Sequence, residues 1–349
     1  MVCGGYDGLG SGGGAYVQLE REKVSDTFYH WCAPIVRDKD NPAMPHKNTT
    51  LDHHEHVVLG MAAGIGAFFM FAVMMVFAKT LSANHSVIEI AFYRNLIASI
   101  PFLVMVFAFG RRDILVIRSK PTLVGLRAAL GTASLITTFA AYSMMPMADT
   151  AALLFTTSLF IPVLGVLFLK ESVGPYRWSA VAAGFMGVVI MLGPSGGMYT
   201  LGVAVTMSSA CMHAILQIML RYLGRYESPE TVTFYFFIIG TFLTALALPF
   251  VAVKPTMAEF PMLLGVGLSG AAAQWLLSVA FKNAPAAIVT VFNYSTIVWA
   301  TLFGWAIWNE LPLPTVIAGG TVVIASNIVV VWRESRQRKV TGASLRAKL

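Results

Sequence analysis

Arg94 is the first residue of chemical interest, because it lies inside a long apolar stretch, in the run Phe92-Tyr93-Arg94-Asn95. A charge in such a stretch is costly unless it faces a cavity or a partner. The guanidinium group suits a carboxylate or phosphate of a ligand. The alternative is a structural arginine bonded to helix-end carbonyls or to Glu89, although those two residues lie well apart around a helix.

Other polar residues inside apolar stretches suit hydrogen bonding or proton transfer. His213 and Gln217 share one helix face, where they would bind substrate, relay protons or bond a neighbouring helix. Glu89 is a second candidate for proton coupling, which requires a partly dehydrated carboxyl group; a solvated carboxylate near the helix end is the alternative. Arg127 is expected to extend toward the cytoplasmic membrane surface.

Aromatic and amide residues complete the candidate cavity lining. Gln274 and Trp275 form one adjacent pair, Asn293 and Tyr294 form another, and Tyr93 precedes Arg94. Aromatic rings beside amides suit an apolar pocket with a few orienting polar groups. Packing and interhelical hydrogen bonding explain the same residues equally well.

No motif in the sequence predicts catalysis, and no catalytic residue, metal or cofactor is expected. A Walker A loop, a nucleophile elbow and a metalloprotease helix motif are all absent, which disfavours an ATP-driven pump. The cluster Asp52-His53-His54-Glu55-His56, with His46 nearby, could bind a transition metal. A solvated segment beside the membrane is the preferred interpretation of that cluster.

The composition requires an apolar solvent for most of the chain. Of the 349 residues, 57% are hydrophobic and 12% are charged, and the mean hydropathy is +0.71. About a quarter of the residues of a soluble domain are charged, so this chain lacks the polar surface of a water-soluble globule. The predicted fold class is therefore an all-α integral membrane protein.

Ten segments are apolar and long enough to cross a bilayer, which takes about 20 helical residues. The weakest points of this count are the short turns around Pro146 and before Pro285. The segments lie near residues 57–79, 88–109, 121–144, 148–169, 176–193, 199–221, 229–251, 258–281, 285–308 and 314–332.

The basic residues support this count. With ten spans, both tails and nearly all of the 24 Lys and Arg residues fall on one side, whereas only Lys79 and Lys254 fall on the other. The positive-inside rule then places both termini in the cytoplasm. We expect a multi-pass protein of the cell membrane, the inner membrane if the source is Gram-negative. Its partners are membrane lipids and a small-molecule substrate, with no nucleic acid and with a homodimer left open.

The two halves of the chain are related by two constant offsets. Early in each half residue n matches residue n + 142, and later it matches residue n + 139. Five is an odd number, so the second half enters the membrane from the opposite side, giving the 5+5 inverted repeat of many secondary transporters. Matched pairs include Gly60 with Gly202, Lys79 with Arg221, Ser86 with Ser228, Tyr93 with Tyr235, Pro146 with Pro285 and Glu171 with Glu310.

These patterns predict four parts. Residues 1–56 form a polar cytoplasmic tail, interpreted as disordered or as an upstream extension of the reading frame. Residues 57–193 and 199–332 form the two repeats, each with five spans, and residues 333–349 form a basic cytoplasmic tail.

The chain resembles the EamA-type members of the drug/metabolite transporter superfamily over residues 57–332. The resemblance rests on the run from Ala141 to Ala151, on Leu169-Lys170-Glu171, and on a second copy from Ala280 to Pro285 that closes with Trp308-Asn309-Glu310. It implies a ten-helix inverted-repeat bundle that moves amino acids, nucleobases, vitamins, S-adenosylmethionine or related compounds.

The predicted function is secondary transport of a small organic metabolite by alternating access, for example of an amino acid, S-adenosylmethionine or riboflavin. A membrane-embedded lipid-modifying enzyme and a non-transporting helix-bundle scaffold are the alternatives. The polar residues within the spans are scattered along the chain, which disfavours an enzyme with convergent catalytic groups.

Overall fold

The computed structural model describes residues 49–169, 175–192, 200–224, 226–284, 289 and 291–329. The predictions for Glu171 and for both tails beyond these ranges lie outside the described residues. Regular structure in the described part is helical. The helices are α1 Thr49–Leu81, α2 Val87–Phe107, α3 Pro121–Met144, α4 Met147–Leu154, α5 Thr157–Leu169, α6 Pro175–Leu192, α7 Thr200–Leu223, α8 Pro229–Val251, α9 Phe260–Asn283, α10 Ser295–Trp308 and α11 Pro314–Val329, with a short 3-10 helix at Arg112–Leu115.

The all-α membrane architecture agrees with the sequence. Seven helical segments of the described part are long and apolar enough to span a bilayer, and three shorter apolar helices lie at Trp178–Met191, Ser295–Trp308 and Pro314–Val329. Together they match the ten predicted segments in position. Two starting points differ: α10 begins at Ser295 rather than near residue 285, and α1 begins at Thr49 rather than near residue 57. No Gly or Pro separates Thr49 from the apolar stretch, so nothing in the intervening sequence breaks a helix.

The fourth predicted span is discontinuous, with α4 and α5 separated by Phe155 and Thr156. Three consecutive hydroxyl residues explain the break: Thr156, Thr157 and Ser158 each donate a side-chain hydrogen bond of 2.7 Å to the carbonyl three residues earlier. Such bonds compete with the backbone ladder of a helix. The backbone here forms three-residue bonds, including that from the N–H of Phe155 to the carbonyl of Ala152.

The central packing unit consists of α2, α3, α8 and α9. Helix α2 contacts both α8 and α9, and α3 contacts both α7 and α8. Apolar residues of α1, α2, α3, α8 and α9 form the largest buried cluster, which includes Met74, Ala98, Ala128, Phe236, Phe237 and Ala271. A second cluster joins the break after α4 to α6 and α11 and includes Phe155, Val188 and Val323.

Glycines permit close helix contacts at several points. A Cβ atom on Gly60 would lie 2.6 Å from the Cβ of Ala284, and one on Gly202 would lie 2.5 Å from the Cγ of Met145. The first contact joins α1 to the end of α9, and the second joins α7 to the end of α3. Larger side chains at either glycine would force these helices apart.

Candidate functional site

Arg94 lies in the centre of the packing unit and exposes 3% of its surface. Its Nη1 donates a hydrogen bond of 2.9 Å to Oδ1 of Asn95. Its guanidinium carbon lies 5.0 Å from the ring centroid of Phe237 and 5.4 Å from that of Phe236. Arg94 forms no ion pair with Glu89, whose partners are described below.

Arg127 reaches the same place from α3, with its guanidinium carbon 4.7 Å from the ring centroid of Phe236. The expectation that Arg127 extends to the membrane surface is wrong, because it exposes only 8% of its surface. Gly131, one turn later on α3, explains the difference: a Cβ at that position would lie 3.0 Å from the Phe236 ring. The missing side chain lets Phe236 approach α3, where its ring offers Arg127 a cation–π contact inside the bundle.

Arg94, Asn95, Arg127, Phe236 and Phe237 are called the arginine cluster below. Four of its nitrogen atoms are buried and have no acceptor among the described residues, namely Arg94 Nε, Asn95 Nδ2, Arg127 Nε and Arg127 Nη1. Buried donors are rarely left without acceptors in a native protein. The cluster therefore presents excess positive charge and excess hydrogen-bond donors.

A second contact joins the break between α4 and α5 to the turn before α10. Phe155, at the break between α4 and α5, stacks on Tyr294 with ring centroids 5.0 Å apart and an interplanar angle of 20°. Tyr294 itself lies in a turn before α10, where the hydroxyl of Ser295 donates to the carbonyl of Phe292 at 2.7 Å. The amide of Asn327, from α11, lies 3.5 Å from the carbonyl of Phe155.

His213 lies at the interface of α7 and α3. Its Nδ1 lies 3.0 Å from the carbonyl oxygen of Ser209 and 3.0 Å from Oγ of Ser134. A carbonyl only accepts, so we assign the proton to Nδ1, which leaves Nε2 of the neutral ring as an acceptor. Thr138 continues this polar contact through a hydrogen bond of 2.7 Å with Ser209. His213 therefore bonds two helices, whether or not it also meets substrate.

Glu89 is buried, with 1% of its surface exposed, and is not the solvated carboxylate of the alternative interpretation. Its Oε2 lies 3.1 Å from Nδ1 of His85 and accepts from the N–H of Val253 at 3.2 Å. The other ring nitrogen of His85 lies 3.2 Å from Oε2 of Glu259. His85 thus bridges two carboxylates between the α1–α2 loop and the α8–α9 loop.

Charge and hydrogen bonding shift the pKa values of this bridge. Burial lowers the pKa of His85, but its contacts with Glu89 and Glu259 and the charges of both carboxylates outweigh it, so the pKa lies above its usual value. Glu259 accepts hydrogen bonds from the N–H and the hydroxyl of Thr256 and from Asn84. Together with the contact with His85, these lower its pKa to about 2.

Lys79 forms the shortest ion pair of the described residues. Its Nζ lies 2.7 Å from both carboxylate oxygens of Glu310 and donates to the carbonyl of Met145 at 3.1 Å. Asn309 positions Glu310: its left-handed backbone, with φ of 56°, ends α10 and turns the chain back. Lys79 also lies 4.9 Å from the ring centroid of Trp308, so the end of α1 is tied to the end of α10.

The remaining predicted site residues do not join the arginine cluster. Tyr93 and Gln274 are half-buried, and Gln217 and Asn293 are exposed. Trp275 exposes 67% of its surface on the outside of the bundle. Adjacent helix positions point about 100° apart, which explains why Gln274 and Trp275 have such different surroundings.

Sequence reasoning missed Asn95 and Arg127 as members of the cluster. Both are polar residues within apolar segments. Because Arg127 lies near a helix end, its side chain was expected to extend to the membrane surface. The signal that distinguishes it is the small residue one turn away, Gly131, which matches Gly270 at the 139-residue offset. A Cβ at Gly270 would lie 3.1 Å from Nε of Arg94. Gly270 therefore leaves space for Arg94, and Gly131 leaves space for the ring of Phe236 that Arg127 contacts.

Comparison with known proteins gives a family match over both halves. The EamA-like transporter family matches residues 58–193 and again residues 200–332. One solved crystal structure, whose description names no function, has a TM-score of 0.56 at 16% identity; the match covers 80% of this chain and 98% of the other. This likeness shows a shared fold.

Three relatives are transporters of different solutes. The chain is 27% identical to a pseudopaline exporter of Pseudomonas aeruginosa, over 77% of this chain and 94% of that protein. It is 26% identical to an S-adenosylmethionine uptake transporter of Rickettsia bellii, over 78% and 94%. It is 30% identical to a riboflavin transporter of Rhizobium johnstonii, over 61% and 70%.

Proposed function

Because the chain belongs to the EamA-like transporter family, we propose that it is a secondary transporter that moves a small organic metabolite by alternating access. The family and the relatives are transporters of small molecules, in accord with the predicted class. The proposal adds that residues 57–193 and 199–332 are inverted repeats, with both termini in the cytoplasm. In a Gram-negative source the membrane would be the inner membrane.

Paired contacts support the inverted repeat. Under the two sequence offsets, Gly60 corresponds to Gly202 and Ala284 to Met145, and the close contact of Gly60 with Ala284 has its counterpart in that of Gly202 with Met145. A second pair of contacts also agrees: the Gly131 position faces Phe236, and the Gly270 position faces Arg94. Unrelated halves would not be expected to repeat contacts at matched positions.

Two contacts join residues that correspond to each other, and they carry the proposal for the site. Arg94 corresponds to Phe236, on which its guanidinium packs, and Phe155 corresponds to Tyr294, on which its ring stacks. Positions related by a two-fold axis meet each other only near that axis. Substrate sites of inverted-repeat transporters lie there, commonly beside discontinuous helices. We therefore assign substrate binding to the region between the arginine cluster and Tyr294.

Proton coupling is assigned to Glu89 rather than to His213. Glu89 is buried, has one oxygen without a partner among the described residues, and is bridged by His85 to Glu259. The phenol of Tyr93 is the further titratable group close to Glu89. A proton on the carboxylate of Glu89 would remove a buried charge and weaken the bridge that His85 forms between the two loops. His213, by contrast, is bonded to Ser134 and Ser209.

Uptake into proteoliposomes tests the proposal. Purified protein should accumulate or exchange at least one radiolabelled metabolite from a panel of amino acids, S-adenosylmethionine and riboflavin. Arg94→Ala should abolish this transport with unchanged expression and folding, because the cation would no longer bind the substrate. Arg112→Ala is the matched control, since Arg112 is exposed at the start of the short 3-10 helix.

Two outcomes would contradict the proposal. Unchanged apparent affinity in Arg94→Ala would remove Arg94 from the substrate site. Failure with every solute, together with turnover of a lipid substrate, would support the membrane-embedded enzyme instead.

A further inference from the structure

The arginine cluster holds two positive charges that no carboxylate of the described residues neutralises. The ion pairs of the described part are Lys79 with Glu310, His85 with Glu89 and Glu259, and Arg111 with Asp113. Arginine stays protonated in proteins, so burial does not remove either charge. Two cations that share the ring of Phe236 also repel each other, because screening is weak inside the bundle.

The rings of Phe236 and Phe237 offset this cost only in part. Even a desolvated cation–π contact stabilises a buried ion by less than the cost of removing that ion from water without a charged partner. The four nitrogens without partners also require an acceptor, because each can only donate a hydrogen bond. Asn95 is oriented by Arg94, which occupies its oxygen and leaves its Nδ2 free to donate. The missing component is thus an acceptor with negative charge.

We propose that Arg94, Asn95 and Arg127 form one binding site for a doubly negative group of the substrate, either a pair of carboxylates or a phosphate. This inference rests on the proposed transport function and names its substrate class. One negative charge would neutralise one guanidinium and leave the other unpaired, whereas two charges neutralise both. Phe236 lies between the arginines and offers its ring to the apolar part of the same solute.

The helices can form such a site because small residues surround it. A Cβ on Gly240 would lie 2.6 Å from Nδ2 of Asn95 and 2.8 Å from Oγ1 of Thr132. Helix α8 therefore approaches α2 and α3 with its backbone. In the described conformation these groups are closed from solvent, and a ligand would enter when the halves separate.

Ligand-dependent thermal stability of the purified full chain tests this inference. The probes are succinate, inorganic phosphate and butyrate, which has the same number of carbons as succinate and one carboxylate fewer. We expect succinate or phosphate to stabilise the protein at concentrations at least about tenfold lower than butyrate, as one additional charge-assisted hydrogen bond implies. Stronger stabilisation by succinate would indicate a site for a pair of carboxylates, and stronger stabilisation by phosphate would indicate a phosphate site.

Variants assign the effect to the cluster. In Arg127→Gln, succinate and phosphate should stabilise the protein no better than butyrate does. In Arg112→Ala, which removes an exposed arginine, the difference between the dianions and butyrate should be unchanged. Arg127→Lys keeps the charge but loses the forked donors, so it should retain part of the advantage even if Arg127→Gln does not fold.

Equal stabilisation of the wild type by succinate, phosphate and butyrate would overturn the inference, as would no stabilisation by any of them or a full dianion advantage in Arg127→Gln. None of these outcomes contradicts transport as such. Transport is judged separately by uptake of the metabolite panel in vesicles, so failure of the substrate class and failure of the proposed function give different results.

Discussion

Two loops at positions matched by the sequence offset use different chemistry. His85 and Glu227 are separated by 142 residues, and each precedes a serine that caps a helix, Ser86 for α2 and Ser228 for α8. His85 bridges Glu89 and Glu259. Glu227 instead accepts from the backbone N–H groups of residues 118–120, at 2.9, 2.7 and 3.1 Å.

We call these the outer junction (His85, Glu89 and Glu259) and the inner junction (Glu227 with residues 118–120), after the sides that the basic residues predict. The outer junction depends on an imidazole, whose charge changes near neutral pH. The inner junction depends on a carboxylate: burial raises the pKa of Glu227, but the backbone N–H groups and the charge of Arg118 outweigh it and lower the pKa. The outer junction is therefore stabilised by a protonated imidazole, whereas the inner junction is stabilised by an ionised carboxylate.

The largest effect is expected from removal of the inner carboxylate. Glu227→Ala leaves three backbone N–H groups without their acceptor and should lower the free energy of unfolding by about 1–3 kcal/mol. Unfolding in detergent, followed by intrinsic fluorescence, measures this. Glu230→Ala is the control, because Glu230 is exposed on the same side, and an equal loss in both variants would contradict the assigned role.

A smaller loss is expected from neutralising the outer junction. Glu259→Gln keeps the shape of the side chain but removes its negative charge. The hydrogen bonds that lower the pKa of Glu259 stabilise this charge, and His85 contacts it. The melting temperature at pH 6 should fall, and it should fall by less than in Glu227→Ala because Glu259 is only half-buried. A fall larger than that of Glu227→Ala would reverse the ranking of the junctions.

The pH dependence of stability should separate the two junctions. The raised pKa of His85 means that its contribution is full below the ordinary imidazole pKa of about 6.5 and disappears as pH rises through the folded value. The lowered pKa of Glu227 means that its contribution is complete above the ordinary carboxyl pKa of about 4.3 and disappears only at lower pH.

Melting temperatures between pH 5.5 and 9 check this expectation. The advantage of the wild type over His85→Gln should shrink as pH rises, while its advantage over Glu227→Gln should stay constant. Parallel curves for both variants would show that the outer junction is not sensitive to pH.

The smallest effect is expected at Asn84, which donates one exposed hydrogen bond of 2.9 Å to Glu259. Asn84→Ala should change the free energy of unfolding by less than about 1 kcal/mol, because water replaces an exposed partner. Transport rates should also remain near those of the wild type in the same vesicles. A loss comparable to that of Glu259→Gln would mean that Asn84, rather than His85, holds the loop.

Arg94 illustrates how far sequence reasoning went at the site. The sequence singled it out because a charge in an apolar segment is expensive, and its repeat mate Phe236 is apolar. That Phe236 would itself contact Arg94 was not visible, because the offset gives correspondence and not distance. Tyr294 was identified only as an aromatic residue beside an amide. Its stacking on Phe155 depends on the break after α4 and on the turn before α10, where hydroxyl groups bond to nearby carbonyls.

The sequence by itself determined that most of the chain lies in a membrane, how many apolar segments it has and which family it resembles. Hydrophobicity, charge placement and spacing are properties of the chain alone. Tertiary structure decided which polar residues come together. Arg127 shows the physical reason: its surroundings depend on the absence of a side chain at Gly131 and on a ring from a helix about a hundred residues away. Helix contacts in lipid are set by such steric fits rather than by the hydrophobic pattern, and a pattern alone does not encode them.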